Sequence, residues 1–145
     1  MTKQYIDVMQ TFNAPVDRVF EALTDHGQLG KLLKVNMRRI SDGEGGYVNG
    51  LGSVRKITPV PFLGFEEKVI TFEPNQLMEY IVSKGSPIKN HKGRMEFSET
   101  TEGSRVRYTI EFESRLPVPF LGGILKAAIE TPIKKGLSSL ADSYR

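Results

Sequence analysis

From Phe120 to Tyr144 the apolar residues recur in steps of three and four: Leu121, Ile124, Leu125, Ala128, Ile129, Ile133, Leu137, Leu140 and Tyr144. That spacing places them on one face of an α-helix. The opposite face carries Lys126, Glu130, Lys134, Ser138 and Asp142, each four residues after the last. At about 1.5 Å per residue such a helix runs roughly 35 Å, the width of a small domain. A stripe that long needs a broad apolar surface to lie on. Pro132 falls inside it, and the hydrogen bond it removes predicts a bend.

A run of strands is the expected surface. Residues 4–12 alternate, with Ile6, Val8 and Phe12 on one side. Asn13-Ala14-Pro15 then opens a short helix whose apolar face is Val16, Val19, Phe20 and Leu23. Asp25-His26-Gly27 breaks it, and a second short helix covers 28–33. From Val35 the period becomes two, predicting strands over 35–40, 53–58, 65–72, 77–83, 91–99 and 105–114. Pro59 and Pro61 end the third of all seven strands, because neither can donate to a ladder. The last strand is the most explicit, with Val106, Tyr108, Ile110 and Phe112 inward and charged residues outward. Met95 and Phe97 face inward on the strand before it, and Met78, Tyr80 and Val82 on the one before that. Over 65–72, Phe65 and Val69 compete with Ile70 and Phe72, and the orientations of Arg39, Arg55 and Glu67 stay open. Strands and helices are segregated along the chain, so the class is α+β with an antiparallel sheet.

Composition removes several functions. There is no Cys, hence no disulfide framework and no thiolate metal site, and the two histidines have no accompanying carboxylate spacing; neither a metal nor a cofactor is expected. The net charge of +3 comes from a mixed surface, and the densest basic run, Lys31, Lys34, Arg38 and Arg39, reads as a solvated face, so no nucleic-acid partner is expected. No apolar run reaches the ~18 residues of a membrane span. The opening MTKQYIDVMQ has no apolar core of a secretory leader, and the expected location is cytoplasmic. At 145 residues one domain over 1–145 is expected. The glycine-rich stretch 43–52 lacks a following Gly-Lys-Ser/Thr and helix, so it reads as a hairpin loop and not as a phosphate cradle.

The order of elements resembles the helix-grip fold of the START/Bet v 1-like (SRPBCC) superfamily, and within it the bacterial polyketide cyclase/dehydrase and lipid-transport group. The matching residues are Asn13-Ala14-Pro15-Val16 with Val19, Phe20, Leu23, Thr24 and Asp25, then Gly50-Leu51-Gly52-Ser53-Val54-Arg55, then Glu67, Val69, Phe72-Glu73-Pro74, Leu77, Tyr80, Val106 and Phe112. The resemblance implies seven curved antiparallel strands wrapped on the C-terminal helix, with two short helices between strands 1 and 2. It also implies a cavity between sheet and helix for a small hydrophobic or amphipathic ligand, lipid-, polyketide- or quinone-like. Walls drawn from the inward faces would be Met78, Tyr80, Met95, Phe97, Tyr108, Ile110, Phe112, Ile124 and Ala128. The alternatives are an aromatic polyketide cyclase/dehydratase, with His91 or Tyr108 moving a proton, and a protein-interaction module.

His91 shares the phase of Met95 and Phe97 and therefore points inward, whereas His26, beside Asp25 at a helix end, reads as a capping or surface residue. Pro-Val-Pro-Phe-Leu-Gly occurs twice, at 59–64 and 117–122. Successive turns of a meander alternate between sheet ends, so both copies belong to one end. Phe62, Leu63, Phe120 and Leu121 are then expected to frame a portal, which also allows peripheral contact with a membrane or partner.

Overall fold

The computed structural model describes residues 3–60, 63–85, 88–117 and 119–145, with the backbone alone at Pro59, Val60 and Leu63. The elements follow in the order β1 (Lys3–Phe12), α1 (Val16–Thr24), α2 (His26–Leu33), β2 (Asn36–Ser41), β3 (Val54–Val60), β4 (Leu63–Glu73), β5 (Leu77–Lys84), β6 (Ile88–Thr100), β7 (Gly103–Ser114) and α3 (Leu121–Ser143). Among the described residues the strands make one curved antiparallel sheet in the order β1-β7-β6-β5-β4-β3-β2. β1 therefore closes against the last strand, and α1 and α2 fill the crossover from one sheet edge to the other. This is the helix-grip arrangement.

The inner face follows the sequence alternation. Val106, Tyr108, Ile110 and Phe112 are buried, as are Met95 and Phe97, and they join Ile6, Val8, Met78 and Val69 in one core. The outer face is wet and charged: Asp7 meets Arg107 at 2.8 Å, and Glu79 takes Lys92 at 3.1 Å and Arg94 at 2.8 Å. The basic run Lys31, Lys34, Arg38 and Arg39 is exposed. Gly93 lies on the inner face, where the Tyr80 ring occupies the space a β-carbon would need.

Three expectations change. Pro59 does not end β3; the strand runs through it to Val60, because the register shifts between Ile57 and Val60 and a bulge does not require its missing N–H. β6 begins at Ile88, not His91. In β4 neither competing phase holds throughout: Val69 is buried and Ile70 points outward, and beyond the register shift between Val69 and Thr71 it is Phe72 that packs on the core.

The largest correction concerns α3. Its apolar stripe is continuous in sequence but is buried only from Ile133 onward, with Gly136, Leu137, Leu140 and Ala141. Gly136 permits this approach, since a β-carbon there would press on the Leu32 carbonyl of α2 at 3.1 Å. The first half stands away: Ile124 is 63% exposed, Ala128 is exposed, and only Leu125 and Ile129 lean on the core. Ile124 and Ala128 are therefore not interior walls. Pro132 sits at the boundary between the two halves.

The two halves of α3 should respond differently to truncation. Leu137→Ala should cost about 2–5 kcal/mol in urea unfolding, the range for emptying a core leucine site. Ile124→Ala should stay within roughly 0.5 kcal/mol of the parent. Equal losses at both sites would mean the first half of α3 is packed as well.

Candidate functional site

A row of polar side chains crosses the inner face of the sheet, one from each of five neighbouring strands: Arg55 (β3), Glu67 (β4), Tyr80 (β5), His91 (β6) and Tyr108 (β7). At ~4.8 Å between strands the row spans roughly 19 Å. The contacts along it are continuous. Arg55 gives Glu67 Oε1 two bonds, Nε at 2.9 Å and Nη2 at 2.8 Å. The guanidinium carbon lies 4.5 Å from the centre of the Tyr80 ring. The Tyr80 and Tyr108 hydroxyls are hydrogen-bonded to each other. His91 lies with its ring centre 5.4 Å from that of Tyr80, and its Nδ1 accepts from the Val82 amide at 3.1 Å.

The local sequence explains each position. Arg55 and Ile57 share the inward phase of β3, with Ser53 buried just before the strand begins, and Glu67 and Val69 that of β4, so the ion pair is cross-strand, Arg55 opposite Glu67. His91 continues the inward alternation of Gly93, Met95 and Phe97 in β6, which sets it beside Tyr80.

Burial sets the charge states. His91 is driven down to about 4 by burial and then by the Arg55 charge. His26 is driven down to about 3 by burial, then by Arg55 and Arg39. Both are neutral at neutral pH. Since His91 Nδ1 accepts a bond, its proton sits on Nε2. Burial raises Tyr108 to about 12 and Tyr80 well above its ordinary value, so both stay phenols. Burial opposes the charge of Arg55, but Glu67 outweighs it and holds the guanidinium protonated.

Four buried polar atoms have no hydrogen-bond partner among the described residues: Arg55 Nη1, Ser53 Oγ and both ring nitrogens of His26. Sequence reasoning gave His26 a capping or surface role. It is 1% exposed, because its neighbour Asp25 caps α2 through the Gln28 amide and turns the imidazole inward. Ser53 was named only within the motif Gly50–Arg55 and was given no role at the site. The available signal was the shared phase with Ile57, which marks the inward face of β3.

The predicted wall residues divide. Met78, Tyr80, Met95, Phe97, Tyr108, Ile110 and Phe112 come together on the inner face. Phe97 belongs to an aromatic chain at one end, 4.8 Å from Phe20, which meets Phe72 at a tilt at 5.3 Å, which in turn meets Tyr47 at 5.4 Å. The other end is open. There a groove of about 830 Å³ lies between the start of β1, the end of β7 and the first turns of α3, lined by Gln4, Ser114, Leu116, Phe120, Ile124 and Ala127 among others. Phe120 is 88% exposed and holds the left-handed φ of 67° that starts α3. Leu121 is half-buried. Pro61 and Phe62 lie outside the described residues, as does the side chain of Leu63, so the first hexapeptide's part of the expected portal is not placed. The backbones do put both copies at one end: Val60 pairs with Leu63, Gly85 lies against Gly64, and Ile88 pairs with Ser114. Among the described residues no group of three His, Cys, Asp or Glu side chains could hold a metal, and no helix is long and apolar enough to cross a membrane.

The sequence profile of the polyketide cyclase/dehydrase and lipid transport family matches residues 4–145. No curated protein matches the sequence. Among solved structures, a protein from Thermus thermophilus superposes with a TM-score of 0.74 at 17% identity, over 96% of this chain and 95% of that one. Truncated norcoclaurine synthase from Thalictrum flavum gives 0.72 at 16% identity, over 99% and 96%. Ara h 8.0201 gives 0.69 at 18%, over 98% and 99%. At these identities the likeness is one of fold.

The two depressed histidines give a sign for acid sensitivity. Their unfolded-state pKa near 6.5 exceeds the folded values of about 4 and 3, so the unfolded chain binds protons first as pH falls. Stability is complete above ~6.5 and should fall below it, with each histidine contributing a slope of about 1.4 kcal/mol per pH unit. His91 ceases to contribute near pH 4 and His26 near pH 3. Urea unfolding between pH 7 and pH 4.5 measures this, since carboxylates add their own acid loss lower down. The variant His26→Asn/His91→Gln should lose most of the slope; an unchanged slope would show that the imidazoles are not the cause.

Proposed function

The chain belongs to the polyketide cyclase/dehydrase and lipid transport family, and from that premise we propose that it binds one small amphipathic molecule, lipid-, polyketide- or quinone-like, as a single binding domain over 1–145. Its apolar body would lie between the inner sheet face and α3, against Met78, Met95, Ile110 and Phe112. Its polar end would reach the Arg55 row. The observation that carries this reading is the unpartnered Arg55 Nη1. A guanidinium N–H shut away from water without an acceptor costs about 1–3 kcal/mol or more, and a bound oxygen relieves it. The groove between β1 and α3, with Phe120 in its lining, supports a route inward; Leu121, Phe62 and Leu63 are the further portal residues of this proposal.

The enzyme reading, a cyclase/dehydratase with His91 or Tyr108 as proton carrier, has one observation in its favour, the Tyr80–Tyr108 hydroxyl pair on the same surface. The charge states weigh against it. Both phenols titrate far above neutrality, and the Nδ1 lone pair of His91 is already taken by the Val82 amide. The row is built to donate hydrogen bonds rather than to remove a proton.

Native mass spectrometry of protein purified from its own host tests the binding reading. A single small molecule, released on unfolding, is the expected result. A stoichiometric protein partner with no small molecule would replace binding with the interaction-module reading. Turnover of a poly-ketone abolished by Tyr108→Phe in a folded protein would replace it with the enzyme.

The portal has its own test. Phe120→Ala should leave stability within ~0.5 kcal/mol, as for an exposed side chain, while the rate of Nile red uptake rises. An unchanged rate, in this variant and in Phe62→Ala/Phe120→Ala, would remove both phenylalanines from the route.

A further inference from the structure

The binding reading leaves the chemistry of the ligand's polar end open, and the charge arrangement around Arg55 bears on it. Nε and Nη2 of Arg55 converge on one oxygen of Glu67, at 2.9 and 2.8 Å. The pair is 1% and 7% exposed, so the two charges cancel locally inside the core. The rest of the guanidinium, Nη1 with its two N–H groups, has no acceptor.

Two other buried residues, Ser53 and His26, also carry unpartnered polar atoms. Ser53 precedes Arg55 by two residues on the same inward face, roughly 7 Å along the strand. His26 lies within the field of Arg55 and of Arg39, whose own charge is paired with Asp42 at 2.9 Å. Together the three side chains offer Nη1–H donors, a hydroxyl that gives and accepts, and an imidazole with one N–H and one lone pair. Every neighbour along the row is uncharged: Tyr80, Tyr108 and His91. The inner surface therefore presents hydrogen-bonding capacity without surplus positive charge.

We propose that the polar end of the ligand is an uncharged oxygen group, a carbonyl or hydroxyl, read by Arg55 Nη1 with Ser53 and His26, and that Glu67 excludes carboxylates and phosphates. This rests on the binding reading above. A ligand carboxylate at Nη1 would place two carboxylates around one guanidinium in a water-poor site, leaving one buried negative charge unbalanced. A ketone oxygen accepts the same N–H bond at no such cost. Glu67 thus acts as a selectivity residue without touching the ligand: it occupies the half of Arg55 that would otherwise clamp an acid bidentately.

The test compares 2-dodecanone with dodecanoate at neutral pH, by displacement of Nile red and by native mass spectrometry. The ketone should bind at least about tenfold more tightly than the acid. In Glu67→Gln the guanidinium charge is no longer balanced, and the preference should collapse or reverse toward dodecanoate. Ser53→Ala should weaken the ketone severalfold and leave Nile red binding unchanged. Equal or tighter binding of dodecanoate by the parent protein would overturn the proposal while leaving the binding reading intact. Retention of neither probe would overturn the binding reading, and the proposal with it. If Glu67→Gln does not fold, the parent's ratio alone decides; if it folds with the ratio unchanged, Glu67 is not the selectivity residue and the proposal fails.

Discussion

A guanidinium and a carboxylate 2.8 Å apart inside an apolar core tolerate burial only in each other's company. Each ion alone would cost several kcal/mol to take out of water, so losing either partner is expected to destabilise far more than replacing both by apolar residues of similar size. Such a pair is a poor device for stability. Its presence on the central inner face of β3 and β4 is better understood through what it organises. Arg55 lies over the Tyr80 ring, Tyr80 bonds Tyr108, and the Arg55 charge helps keep His26 and His91 neutral. The electrostatic character of the interior descends from this one interaction.

The sheet and α3 then divide the interior between stability and access. The second half of α3 packs on the core and against α2, with Ile133, Leu137 and Leu140 buried. At the far end of the sheet the tilted and edge-on rings of Phe20, Phe72, Phe97 and Tyr47 close the core. At the near end the first half of α3 leaves its apolar residues facing an open groove. One helix therefore serves two purposes, and Pro132 stands where they meet. A proline there removes one backbone bond at the point where the packing environment changes.

Much of this was legible in the chain. The three-and-four spacing of 121–144 required a long helix, and period-two runs required strands, because backbone geometry ties side-chain direction to these repeats. The segregation of the elements gave the α+β class, and the resemblance gave the helix-grip arrangement. The inward residues of β5, β6 and β7 followed directly. Alternation failed in β4, where an irregularity near Ile70 resets the phase, and in β3, where a bulge lets the strand pass through Pro59. A bulge depends on the partner strand and leaves no periodic trace of its own.

The sequence alone determined which faces are apolar, since amphipathic periodicity is a property of the local backbone. It did not determine how much of each face is covered. Ile124 and Leu137 carry the same helical signal, and only the position of α3 against β1 and α2 leaves one exposed and buries the other. Nor did it turn Ser53 and His26 inward, or decide the inward turn of Arg55 and Glu67. Those four residues come from a helix start and two strands, and a polar side chain in a strand reads as solvated unless something opposite neutralises it. Whether something does is settled by cross-strand pairing and by the docking of α2, both of which are long-range and exist only once the chain has folded.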